Sequence, residues 1–274
     1  MANNKNQHFV PQFYLRNFSA DASQRSICLF NFDRGLSIPN ASIRNQCSRD
    51  YWHGDEDPLF EDSLRGLEGF GAAAIKACIL TDQLHKVRTL KTFAMVQLGR
   101  TVFSAEAFAE SREKMHRLTY GRPLEDNELD PKHNIGVYLM NGPILLDLAA
   151  CLVVNKTDIE FITSDNPVVL CNWWFTRMYR QRPGAGVGLA HAGLEIYLPL
   201  SPRHQLALYD RNIWTVPKAE RNGRVLLRND RDVYALNERQ ALNAQHNVYF
   251  SSMSTVDHVA KLAKECADRR KTKS

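Results

Sequence analysis

The chain changes its hydrophobic period three times. It opens on a block, His8-Phe9-Val10-Pro11-Gln12-Phe13-Tyr14-Leu15-Arg16-Asn17-Phe18, in which large apolar side chains interleave with His, Gln, Tyr, Arg and Asn. Chain ends are usually frayed and polar, so such a block is expected to be tied into the core. Its polar groups then need partners, because burying them unpaired costs free energy. The block is either a structural clamp or one wall of a site. A hairpin follows, with strands at Ser26–Phe32 and Leu36–Ile43 and a turn at Asp33-Arg34-Gly35. Pro39 cannot donate to a ladder, which confines the second strand to an edge or keeps it short.

Residues 58–154 read as helical. Pro58 suits a first helical turn, and Leu59, Phe60, Leu64, Leu67, Gly71, Ile75 and Ile79 keep the 3.6-residue period. A longer helix is expected over residues 83–118, with Leu84, Val87, Leu90, Ala94, Leu98 and Val102 on one face. Lys86, Arg88, Lys91 and Arg100 fall on its other, basic face. Gly121–Lys132 reads as a loop. Residues 133–154 are apolar nearly all round, which predicts a central helix.

Strand-like runs then take over, at Ile159–Thr163, Val168–Cys171, Leu194–Leu200, Gln205–Tyr209 and Val248–Ser251. A short helix at 233–245 interrupts them. A C-terminal helix is expected to start with Ser254 and Asp257 at capping-box spacing. Periods that change in blocks predict an α+β fold, a mainly antiparallel sheet with a segregated helical region at 58–154 and a C-terminal helix. With no repeat and no linker, residues 8–268 are expected to form a single domain between flexible tails at 1–7 and 269–274.

Composition narrows the class. Hydrophobic residues at 44% and charged residues at 24% are those of an ordinary globular chain. No apolar run reaches about 18 residues, so a membrane span is not expected. The first residues lack the apolar stretch of a secretory signal, making the cytoplasm the default expectation. Arg269, Arg270, Lys271 and Lys273 account for most of the net charge of +5. The body is therefore nearly neutral, and global charge does not argue for a nucleic-acid partner. Six cysteines without any C-x-x-C pair read as buried free thiols rather than a zinc site.

Four segments carry candidate chemistry. The first is His8, Gln12 and Arg16 in the opening block, where a histidine can serve as acid, base or ligand. The second is Glu61 and Glu68, nearly two helical turns apart and so on nearly one face, beside Leu64 and Leu67. A carboxylate there needs a cation, a metal or a raised pKa; Arg65 or a basic residue of the 83–118 helix is a possible partner. The third is Thr163-Ser164-Asp165-Asn166-Pro167, a turn at a sheet end, where Asp165 is a natural acid, base or Mg²⁺ ligand. The same residue types are also preferred turn formers. The fourth, Trp173–Arg182, sets Trp173, Trp174, Phe175 and Tyr179 beside Arg177, Arg180 and Arg182. Aromatics and guanidinium groups together suit single-stranded nucleic acid, although a lid packed on the core has the same composition. The chain has no G-x-S-x-G elbow, P-loop, H-E-x-x-H or kinase signature set.

The opening block together with Phe161-Ile162-Thr163-Ser164-Asp165-Asn166-Pro167 resembles domain-of-unknown-function family 4238. The Glu61…Glu68 helix, Leu198-Pro199-Leu200-Ser201-Pro202 and Leu242-Asn243…Asn247-Val248-Tyr249-Phe250-Ser251 are similar too. The resemblance implies a shared architecture and a shared polar site, one constellation of His8, Gln12, Arg16, Glu61, Glu68, Asp165 and Asn166. Such a set would suit metal-assisted phosphodiester hydrolysis. The expectation is an intracellular hydrolase, a metal-dependent nuclease of toxin or antiviral-defence type. In it Asp165 with Glu61 and Glu68 would hold Mg²⁺, His8 would act as general base or acid, and Arg16 or Gln12 would steady the phosphate. The alternative is a noncatalytic binding or interaction protein in which the N-terminal block and the Ser-Asp-Asn-Pro turn lock each other.

Overall fold

Helices and strands segregate along the chain into an α+β architecture with mostly antiparallel sheets. The computed structural model describes residues 5–54, 58–125, 128–173, 188–216 and 223–271. β1 (Asn6–His8) pairs antiparallel with β4 (Ser48–Asp50). A second sheet has four strands, β2 (Ser26–Asn31), β3 (Leu36–Ser42), β6 (Thr163–Ser164) and β11 (Asn247–Phe250), in the order β3-β2-β11-β6. The hairpin forms as expected, and β3, which carries Pro39, is an outer strand. A five-stranded sheet combines β5 (Ala149–Asn155), β7 (Val169–Cys171), β8 (Glu195–Ser201), β9 (His204–Tyr209) and β10 (Arg224–Leu227) in the order β10-β5-β9-β8-β7. Its β10–β5 pair is parallel.

The helices are α1 (Gln12–Arg16), α2 (Pro58–Thr81), α3 (Val87–Arg100), α4 (Val102–Tyr120), α5 (Pro131–Met140), α6 (Gly142–Asp147), α7 (Asp230–Asn243) and α8 (Val256–Lys271). Among the described residues no helix is long and apolar enough to cross a membrane. All six cysteines are buried and none is in a disulfide.

The helical stretch departs from the sequence reading at three places. The helix expected over 83–118 is two helices. Lys86 is left-handed (φ 46°) ahead of α3, and Thr101 is extended (ψ 154°), its side chain accepting from the Ser104 amide to cap α4. The expected basic face is split, with Lys86 and Arg88 exposed and Lys91 and Arg100 buried. Lys91 Nζ donates to the Leu146 carbonyl at 2.7 Å and to that of Leu148, satisfying carbonyls that the end of α6 leaves open.

The helix expected over 133–154 is α5, α6 and then a strand. Leu148 turns extended (ψ 142°) and the chain enters β5. β5 is flanked by β9 and β10, and its buried Leu152-Val153-Val154 run gives an unbroken apolar pattern that mimics a buried helix. In the run expected as a strand at Ile159–Thr163, only Thr163 joins a ladder. The capping box at Ser254 and Asp257 does not form either. Ser252 accepts from the Ser254 amide and starts a short 3-10 turn before α8.

The N-terminal block is a core element. Val10, Tyr14, Leu15 and Phe18 are wholly buried in the main cluster, with Ile27 and Leu29 of β2, Ile196 and Leu198 of β8 and Phe93 of α3. The Tyr14 hydroxyl donates to the Pro199 carbonyl at 2.6 Å, which can only accept, and so it accepts from Thr163 Oγ1 at 2.8 Å. One tyrosine thereby ties α1 to both large sheets, to β6 through Thr163 and to β8 through Pro199.

Candidate active site

Three elements bring polar residues of the block to one hollow. β1 is held by its ladder to β4, and Phe9 N donates to the Cys47 carbonyl at 2.8 Å. From the other side α3 grips the same segment: Gln97 Nε2 donates to the Phe9 carbonyl at 2.9 Å, and Arg100 Nη2 to that of His8. α2 supplies Glu61 and Glu68 from one face. The resulting pocket, about 330 Å³, is lined by His8, Gln12, Arg16, His53, Glu61, Glu68 and Arg100, together with Gln7, Pro11, Phe13, Leu64 and Arg65.

The hydrogen-bond chain in this pocket fixes a protonation state. Arg16 Nη2 donates to Gln12 Oε1 at 3.0 Å, which turns the Gln12 amide nitrogen toward His8 Nε2 at 2.8 Å. His8 Nε2 therefore accepts. His8 Nδ1 lies 3.1 Å from the Gln46 carbonyl, which can only accept, so Nδ1 carries the hydrogen. The ring is neutral, with its basic lone pair facing Gln12. Burial lowers the His8 pKa below the ordinary histidine value, and the Arg100 charge adds to that.

Glu61 and His53 form the second feature. Glu61 Oε1 lies 3.4 Å from His53 Nδ1. Among the described residues neither ring nitrogen of His53 nor Glu61 Oε1 has a hydrogen-bond partner, although all three atoms are buried. Buried polar atoms are otherwise nearly always satisfied. Burial pushes the His53 pKa down to about 3, keeping the imidazole neutral. Burial also raises the Glu61 carboxyl above the usual range, with the Arg100 charge opposing.

Glu68 plays a different part. Its Oε1 accepts from Arg100 Nη1 at 2.7 Å, and the Arg100 side chain is only 2% exposed. A buried guanidinium needs such a partner, and here a residue of the 83–118 region supplies it to the acid.

Asp165 and Asn166 are placed in other surroundings and do not line this pocket. Asp165 is buried, with Oδ1 accepting from Gln245 N at 2.7 Å and Oδ2 from His246 N and Asn247 N at 2.7 and 2.9 Å. It fastens the α7–β11 connection. Asn166 accepts from Thr101 Oγ1 at 3.1 Å and donates to the Asn243 carbonyl at 3.2 Å. The expected Mg²⁺ set of Glu61, Glu68 and Asp165 therefore does not fit one ion. Asp165 has given its oxygens to three amides, and Glu68 is paired with Arg100. Among the described residues no group of three His, Cys, Asp or Glu is arranged to hold a metal.

The expected nucleic-acid stretch falls mostly on Trp174, Arg177, Arg180 and Arg182, which lie outside the described residues, as do Phe175 and Tyr179. Trp173 is described and 39% exposed. Two residues of the pocket, His53 and Arg100, escape the sequence reading. Arg100 had a readable signal: Phe93, Val96 and Gln97 precede it by seven, four and three positions, all buried, so the guanidinium continues the packed face. His53 sits in a loop, where no period announces it.

Comparison with protein families gives one match, to the family described as a protein of unknown function (DUF4238), over residues 6–254. No curated protein and no solved structure matches the chain.

Proposed function

Since the chain belongs to the DUF4238 family, a kinship that assigns no reaction, we propose from its own pocket that it is a hydrolase of phosphodiesters, a nuclease whose acid–base groups are Glu61 and His8. The observation that carries this reading is the set of buried, unpartnered polar atoms on Glu61 and His53 inside a pocket that also holds the His8–Gln12–Arg16 chain. Unsatisfied buried groups on residues that line a hollow are candidate sites for a ligand's polar atoms.

In this reading Arg16, exposed at the pocket's mouth, and Arg100 at its base hold the anionic phosphate. Binding draws Gln12 away with Arg16 and frees His8 Nε2, which takes a proton from water. The water oxygen bonds to phosphorus and the bond from phosphorus to the leaving oxygen breaks. Glu61, whose carboxyl burial pushes above the usual range, is the proton donor to that leaving oxygen. Neutral His53 donates a hydrogen bond to the charge that develops on phosphate oxygen.

The test is turnover of single-stranded RNA, single-stranded DNA and bis(p-nitrophenyl) phosphate, each with and without Mg²⁺. Wild type is expected to hydrolyse at least one of them, and Glu61→Gln and His8→Ala to lose about 100-fold or more while remaining folded. Absence of hydrolysis on all three overturns the reading.

One observation favours a noncatalytic alternative. The Arg16–Gln12–His8–Gln46 chain is complete without a ligand, as a structural lock would be. Under that reading His8→Ala unfolds the protein instead of silencing it.

A further inference from the structure

His53 lines a second hollow on its other side. About 450 Å³ in volume, it is bounded by Tyr51, Trp52, Gly54, Arg112, Pro131 and Lys132 as well as His53. We propose that this hollow is a subsite for a base of a single-stranded polynucleotide whose scissile phosphate occupies the His8–Glu61 pocket. The inference rests on the phosphodiesterase reading above and names the substrate class for it.

Three observations carry it. First, His53 borders both hollows, is 3% exposed, and among the described residues has no hydrogen bond at either ring nitrogen, Glu61 Oε1 lying 3.4 Å from Nδ1. A substrate that spans both sides can satisfy an imidazole whose two nitrogens lie on opposite edges of one ring. Second, the hollow has aromatic walls held in place. Trp52 is anchored by its Nε1 donating to the Arg100 carbonyl at 2.8 Å and by the Arg49 guanidinium 5.2 Å from its ring centre. Arg100 thus serves both hollows, its guanidinium in one and its carbonyl fixing a wall of the other. Tyr51 is 44% exposed and held left-handed at φ 52°. Such a conformation is uncommon outside glycine and asparagine.

Third, a cation is packed into the wall of the hollow, the Lys132 ammonium standing 5.5 Å from the centre of the Phe60 ring. Gly54 has φ 84°, and a Cβ there would stand 3.3 Å from Lys132 Nζ. The lining carries Arg112 and Lys132 as well as Glu128 and Asp130, and Arg112 Nη2 donates to the Glu128 carbonyl at 2.8 Å. Asp130 is committed to capping α5, accepting from His133 N at 2.9 Å. A lysine beside an exposed aromatic ring, next to a phosphate pocket, is the combination that binds single strands, base on ring and phosphate on cation.

Fluorescence anisotropy of labelled 12-nucleotide single-stranded RNA and DNA tests this, alongside wild-type hydrolysis of bis(p-nitrophenyl) phosphate, which carries no base. Tyr51→Ala and Lys132→Ala are expected to weaken binding about tenfold or more, the loss typical of one stacked base or one lost cation. Leu118→Ala, far along α4 and 76% exposed, should bind as wild type. Tyr51→Asn, which tolerates the left-handed backbone, guards against a folding artefact and should weaken binding as Tyr51→Ala does.

Binding unaffected by Tyr51 and Lys132 variants overturns the subsite. So does wild type that hydrolyses the small diester but binds no oligonucleotide, or that binds an acidic peptide in its place; in both cases the hydrolase reading survives. Oligonucleotide binding that depends on Tyr51, without hydrolysis of any diester, supports the subsite and overturns the hydrolase. Neither binding nor hydrolysis overturns both.

Discussion

Arg100 and Glu68 meet at 2.7 Å, one from α3 and the other from α2, with the guanidinium almost wholly enclosed. The same guanidinium holds the His8 carbonyl, so a single charge pair binds two helices to the N-terminal block. Glu68→Ala leaves a buried cation without its counter-ion and is expected to cost about 2–4 kcal/mol, the lower end because Glu68 retains some water contact. Arg100→Met in the same chain should recover part of that loss. Urea unfolding of the two single variants and the double variant checks it; additive losses would contradict the coupling.

Asp165 is expected to be indispensable for folding rather than for turnover. Asp165→Ala strips three part-buried amides, those of Gln245, His246 and Asn247, of a buried acceptor. With each orphaned donor costing about 1–3 kcal/mol, the loss approaches the stability of a whole domain. Thermal unfolding should show Asp165→Ala strongly destabilised or insoluble, with Glu61→Gln close to wild type.

These two acids mark where the sequence was legible and where it was not. The 3.6-residue period put Glu61 and Glu68 on one face, and the structure keeps them in one pocket. Asp165 belongs to a residue class equally suited to sites and to turns, and only the tertiary fold reveals that backbone amides claim it. Arg100 was assigned by charge to an exposed face, although its spacing from Phe93, Val96 and Gln97 pointed inward. The β5 strand was hidden because an unbroken apolar run has no period to separate strand from helix. The outline of the hairpin, the α+β class and the edge position of Pro39 all followed from local rules that no tertiary contact overrode.

His53 should make stability pH-dependent. Its folded pKa, about 3, lies below the ordinary histidine value, so the unfolded chain binds the extra proton first as pH falls. Its contribution is complete above about pH 6.5 and is lost as pH drops from there toward 3, at up to about 1.4 kcal/mol per unit. His53→Phe, which keeps a ring against Phe60, removes this term. The wild-type unfolding free energy minus that of the variant, measured from pH 4 to 7, should fall steadily toward acid. A constant difference would contradict a buried neutral imidazole.

Gly99 permits a close approach of α5 to α3 near the site. A Cβ there would stand 2.8 Å from the Ile135 backbone and 3.0 Å from the Tyr138 ring. Gly99→Ala is expected to push α5 away from α3 and cost about 1–3 kcal/mol, despite alanine's better helix propensity. Because Arg100 is the next residue, the variant should also weaken the hold on His8. A lower unfolding midpoint in urea with an unchanged slope checks it.

The most direct measurement of the central claim is the pH dependence of kcat/KM on the best-hydrolysed diester for wild type and Glu61→Gln. Glu61 as proton donor predicts a wild-type rate that falls on the alkaline side as its raised carboxyl pKa is passed, and falls again on the acid side as His8 takes up its proton. The Gln variant should be about 100-fold slower, keep the acid limb and lose the alkaline one. A Gln variant with the wild-type rate and both limbs intact would contradict it.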